Sequence, residues 1–143
     1  MFFEDVTEGT EIPELVKGPY SVMGLAKFGA MIGDFYPAHY DHKWATESDR
    51  VPAVVVYGLQ ITVHMSQLLT DWIGPDGMLR KFGNRNLNQL YVGEVVVIKG
   101  KVTKKYQKDG QNLVDCTLKA ETPGGKLVAE GYATVELPSR LQT

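Results

Sequence analysis

Soft metal-binding side chains are scarce in this sequence: one cysteine, Cys116, and three histidines among 143 residues. A lone cysteine excludes an internal disulfide and a cysteine-based metal cluster. His39, His42 and His64 follow neither an H-x-x-x-H nor an H-E-x-x-H spacing, so no metal site is expected. Charge of one sign is not in excess either. Fifteen Lys and Arg against 17 Asp and Glu leave a net charge of −2, which provides no broad attraction to polyphosphate and argues against nucleic acid as a partner. No apolar run reaches the ~18 residues of a membrane span. The opening Met1-Phe2-Phe3-Glu4-Asp5 has no basic segment followed by an apolar stretch. The expectation is a cytoplasmic protein without membrane attachment. Internal repeats, low-complexity segments and linkers are absent. So are the G-x-S-x-G elbow of serine hydrolases and the glycine-rich loops of nucleotide sites.

What is present fits one α+β domain spanning residues 1–143. A hydrophobic content of 43% is enough for this length to build a core without staples. Residues 9–19, with Gly9, Pro13, Gly18 and Pro19, read as an irregular extended lead-in. Ser21 is placed to cap a helix carrying Val22, Leu25, Ala26, Phe28, Gly29 and Ile32 at helical spacing and ending near Gly33. Pro37 marks a tight turn over residues 34–40, and Asp41 is placed to cap a short helix through Trp44 and Ala45. From about Gly58 to Ile73 the chain is apolar on almost every face, the pattern of a buried helix, and Gly74-Pro75-Asp76-Gly77 stops it. Strands follow over residues 94–106, 113–120 and 127–137, with a hairpin signal at Lys108-Asp109-Gly110 and a less regular strand over residues 78–90. One buried helix followed by a meander suggests an antiparallel sheet curled around that helix.

Reactive side chains are densest over Gly33-Asp34-Phe35-Tyr36-Pro37-Ala38-His39-Tyr40-Asp41. With a proline between them, Asp34 and His39 do not share an uninterrupted helix, but a tight turn can aim both at one small space. A carboxylate and an imidazole around one water meet the requirement for adding water across a double bond, one group accepting a proton while the other donates. Spacing alone leaves a second reading, with Asp34 a cap or turn residue and His39 a satisfied surface histidine.

The segment resembles the signature of the MaoC-like, (R)-specific enoyl-CoA hydratases, roughly S-G-D-x-N-P-x-H-x-D. Gly33, Asp34, Pro37, His39 and Asp41 match it in order and spacing. Tyr57-Gly58-Leu59-Gln60 stands where that family carries H-G-M-x at the start of its central helix. The resemblance implies a hotdog fold, an antiparallel sheet wrapped around a long central helix. It also implies reversible hydration of a trans-2-enoyl thioester to an (R)-3-hydroxyacyl thioester. Asp34 and His39 would be the acid–base pair, and the Gly58 N–H, at a helix start, would polarise the thioester carbonyl. Ser66 matches a serine near that pair, and reads equally as a residue bonded back to its own helix. Tyr36, Pro37 and Tyr57 would meet substrate. Arg80, Lys81 and Arg85 would meet coenzyme A phosphates, or else form a solvated strand face. Two departures stand out: Tyr36 replaces an asparagine and Tyr57 a histidine of the family pattern. They point to an altered acyl pocket or to a catalytically reduced subunit of a heteromer, and the fold also admits an acyl-CoA thioesterase. No separate cofactor is expected, since coenzyme A or acyl carrier protein arrives as part of the substrate. A homodimer or higher oligomer is expected, because a small sheet around one helix leaves an open strand edge; a hetero-oligomer with another hotdog subunit is the further option.

Overall fold

A computed structural model describes residues 1–141. Its first helix, α1 (Val22–Ile32), starts where the Ser21 hydroxyl accepts the Gly24 N–H at 3.1 Å and ends at Gly33, whose φ of 73° turns the chain away. The second, α2 (Gly58–Ile73), has the bounds expected from the sequence. Five strands follow the chain as β1 (Glu11–Lys17), β2 (Met78–Asn86), β3 (Val96–Lys108), β4 (Gln111–Glu121) and β5 (Leu127–Glu136). They form one sheet in the order β1-β3-β4-β5-β2, with every neighbouring pair antiparallel.

Burial drives α2 onto this sheet. Ile61, Met65, Leu68, Leu69 and Ile73 form its buried stripe and join a core that includes Ile98, Val102, Val114, Leu118 and Val135. Close approach depends on two strand glycines. A Cβ on Gly100 would lie 3.1 Å from Leu68 Cδ2, and one on Gly131 would lie 3.0 Å from Met65 Cε. The other face of α2 stays open, with Leu59 51% and Val63 45% exposed, so the helix is apolar all round without being covered all round.

Two local expectations need correction. The lead-in over residues 9–19 contains a regular strand: β1 pairs with β3 at the sheet edge, with a register shift between Ile12 and Leu15. Pro13 sits in that shift, where an edge strand tolerates a missing N–H, and the shift breaks the alternation by which the strand would be recognised. Beyond Asp41, whose carboxylate accepts the Trp44 N–H at 3.0 Å, the short helix widens into a π-helical turn over Trp44–Ser48. The hairpin at Asp109-Gly110 is as expected. Both residues have positive φ, 52° and 79°, as a two-residue turn between twisted strands requires. No helix among the described residues is long and apolar enough to cross a membrane.

Candidate active site

The turn after α1 is built by its own backbone. The Asp34 N–H donates to Gly29 O at 3.0 Å, and the Asp34 carboxylate accepts the Tyr36 N–H at 3.0 Å. Pro37 opens a 3-10 turn over Pro37–His39, and its carbonyl accepts the Tyr40 and Asp41 N–H groups at 3.0 and 2.8 Å. The strand-like stretch before α2 runs beside this turn and grips it twice: the Val55 N–H donates to Ala38 O at 3.0 Å, and His39 Nδ1 lies 2.6 Å from Val55 O. A carbonyl can only accept, so Nδ1 carries the hydrogen and Nε2 of the neutral ring is left with its lone pair.

His39 lines a cleft of about 280 Å³ together with Gly58, Ile61, Asn86, Leu90 and Val128. Gly58 is the first residue of α2, and its N–H has no intrahelical acceptor. A Cβ there would sit 2.6 Å from Asn86 Nδ2, so the glycine leaves room for the amide. Of the expected catalytic groups, His39 and Gly58 line the cleft, while Asp34 and Ser66 do not. Asp34 is joined to His39 through Tyr57. The Tyr57 hydroxyl donates to Asp34 O at 2.8 Å, and its ring stacks on the imidazole with centroids 3.7 Å apart. Burial first, and then the negative charge of Asp34, hold the Tyr57 phenol above its ordinary pKa.

The remaining expected residues occupy distinct places. The Ser66 hydroxyl donates to Val63 O at 2.8 Å, back into its own helix. Tyr36 is 48% exposed and donates to Asp49 at 2.9 Å, while its ring lies edge-on to His39 at 6.3 Å. Tyr57, expected against the substrate, is only 2% exposed. On β2, the Arg80 Nε bonds Glu136 at 2.6 Å and Arg85 bonds Glu130 at 2.7 Å, both across the pairing with β5. Lys81 Nζ lies 5.5 Å from the centre of the Tyr132 ring. These three cations are thus answered by their own sheet. Among the described residues no cluster of His, Cys, Asp and Glu is arranged to hold a metal.

Sequence reasoning named none of Val55, Asn86, Leu90 or Val128 as site residues. Val128 alternates toward the outer face by its position, but the register shift between Ala120 and Glu121, which skips Val128, buries it and turns it into the cleft wall. Asn86 ends β2 in a stretch, Asn84 to Gln89, that is polar except for Leu87 and carries no local sign of reaching α2.

No family model and no curated protein matches the sequence. Solved structures do match the fold. The (R)-hydratase from A. caviae involved in PHA biosynthesis is 24% identical with a TM-score of 0.81, covering 94% of this chain and 99% of that one. The R-hydratase PhaJ1 from Pseudomonas aeruginosa is 20% identical with a TM-score of 0.84, covering 96% and 86%. A chain of the ChsH1-ChsH2 complex from Mycobacterium tuberculosis is 21% identical with a TM-score of 0.77, covering 92% and 98%. By its antiparallel sheet, its long packed helix and these neighbours, the chain has the hotdog fold of the MaoC-like dehydratases and (R)-hydratases.

Proposed function

We propose that this protein catalyses the reversible hydration of a trans-2-enoyl thioester to an (R)-3-hydroxyacyl thioester. The observation that carries the reading is the junction of His39 and Gly58 in one cleft, with His39 Nδ1 tied to Val55 O and its other nitrogen free to exchange a proton. Water bound at His39 in the cleft loses a proton to the Asp34–His39 pair as its oxygen bonds C3 of the enoyl group. The electrons move to the thioester carbonyl oxygen, where the Gly58 N–H and the helix start offset the developing charge. C2 then takes a proton from the pair, and the carbonyl re-forms. Ile61, Leu90 and Val128 supply an apolar wall for the acyl chain. No separate cofactor is needed; coenzyme A or acyl carrier protein enters with the substrate.

The test is a purified-protein assay with crotonyl-CoA, following the conjugated enoyl absorbance and free thiol together. Loss of absorbance without thiol release is expected. Thiol release would replace hydration by a thioesterase reaction.

A second reading has its own support. Phe35, Tyr40 and Trp44 are 65%, 41% and 42% exposed around the turn that carries His39, and Leu59 and Val63 are open on α2. The M. tuberculosis neighbour is a chain of a two-protein complex. A second hotdog subunit, identical or different, would cover such apolar side chains. Were the chain inactive alone and active when mixed with another hotdog chain, the subunit role would take over.

A further inference from the structure

Asp34 follows the Gly33 cap of α1 and His39 closes a 3-10 turn, and only the short segment 34–39 joins them. Tyr57 contacts both. Its hydroxyl donates to the Asp34 carbonyl at 2.8 Å, while its ring lies over the His39 imidazole at 3.7 Å with 21° between the planes. Its other neighbour is Phe28 of α1, at 5.3 Å between ring centres. The hydroxyl needs a notch to reach Asp34, and Gly29 makes it: a Cβ on Gly29 would stand 2.2 Å from the Tyr57 hydroxyl and 2.7 Å from Asp34 O. A ring wanted only as apolar filling needs neither the hydroxyl nor the notch, because a buried O–H without a partner is unfavourable. Tyr57 also directly precedes Gly58, so whatever holds its ring holds the start of α2.

We infer that Tyr57 is a positioning residue that sets Asp34, His39 and the first N–H of α2 relative to one another, by its hydroxyl, its ring face and its own backbone. The inference rests on the hydration reading for what these groups do, and on geometry alone for their arrangement. At 2% exposure the side chain has almost no surface to offer a substrate, so its influence runs through the residues it touches.

Two measurements on the full-length protein test this role, the first reading the stacking itself and the second separating positioning from plain core packing. Proton NMR of the His39 imidazole, assigned by its loss in His39→Gln, reports stacking through the ring-current shift. That shift should persist in Tyr57→Phe and collapse in Tyr57→Leu. In crotonyl-CoA hydration, Tyr57→Phe should lower kcat roughly 3–10-fold, the size of one neutral hydrogen bond. Tyr57→Leu should lower it roughly 10²-fold, the effect of a misplacement near 1 Å. KM should hold in both. Gly29→Ala, which closes the notch without harming helix propensity, should reproduce at least the loss seen in Tyr57→Phe. A raised KM with kcat unchanged would make Tyr57 a substrate contact. A folded Tyr57→Leu protein with wild-type kcat would leave it a core residue only. If the wild type hydrates nothing, the hydration reading fails by itself, and an unchanged His39 shift in Tyr57→Leu would then overturn the positioning role.

Discussion

His39 Nδ1 lies 2.6 Å from the carbonyl oxygen of Val55, a residue with no charge and no reactive group. That contact decides which imidazole nitrogen is free, so the ring enters the cleft in one tautomer. Asp34→Asn and His39→Ala should each lower hydration of crotonyl-CoA roughly 10²–10⁴-fold, the usual size of an acid–base contribution. The double variant should lose little more than the worse single, since in the proposed mechanism both groups act on one water. The amide introduced by Asp34→Asn keeps an oxygen for the Tyr36 N–H, so circular dichroism and melting should change little. A folded Asp34→Asn protein with most of its activity would sink the pair.

Gly58→Ala tests the helix start. The new Cβ would meet Asn86 Nδ2 at 2.6 Å, a flexible side-chain end that can give way, and alanine is no worse than glycine at a helix start. Stability should therefore hold while kcat/KM falls, because the added methyl crowds the N–H proposed to meet the thioester carbonyl. Equal losses of melting temperature and activity would instead assign Gly58 to packing.

His64 is expected to contribute to the loss of stability in acid. Its Nδ1 lies 2.9 Å from the Tyr20 hydroxyl, and burial, followed by the charge of Lys17, lowers its pKa from 6.5 to about 4. The unfolded chain therefore takes up this proton before the folded one does. The histidine's effect on stability is nil above about 6.5 and becomes a growing penalty as pH falls toward about 4. Thermal melts between pH 7 and pH 4.5 should show a smaller drop for His64→Gln than for the wild type. Parallel curves would remove His64 from the account.

Met65 anchors α2 on the sheet at 0% exposure, with its methyl beside Gly131. Met65→Ala should cost about 2–5 kcal/mol in urea denaturation, the range for emptying a packed site of that size. A cost under ~1 kcal/mol would mean the helix rests on the sheet more loosely than the close glycine contacts require.

Much of the frame was legible because it depends on neighbours along the chain. The Gly58–Ile73 helix, the Ser21 cap, the Gly33 stop and the Asp109-Gly110 turn follow from local periodicity and backbone preference. The edge strand β1 was not, since Pro13 and the shift beside it hide its alternation. Arg80 and Arg85 read as candidates for a phosphate because their carboxylate partners lie 56 and 45 residues away, on a strand that only the β2–β5 pairing brings alongside.

By itself the sequence determined the α+β order, the central helix and the turn that carries Asp34 and His39. Tertiary structure alone decided that Tyr57 is buried against His39, that Val128 is turned into the cleft by a bulge, and that Asn86 ends beside Gly58. The reason is physical. Helices, caps and turns arise from steric and hydrogen-bond preferences within a few residues, whereas the contacts of a cleft form where strands of fixed register and a packed helix bring distant side chains together.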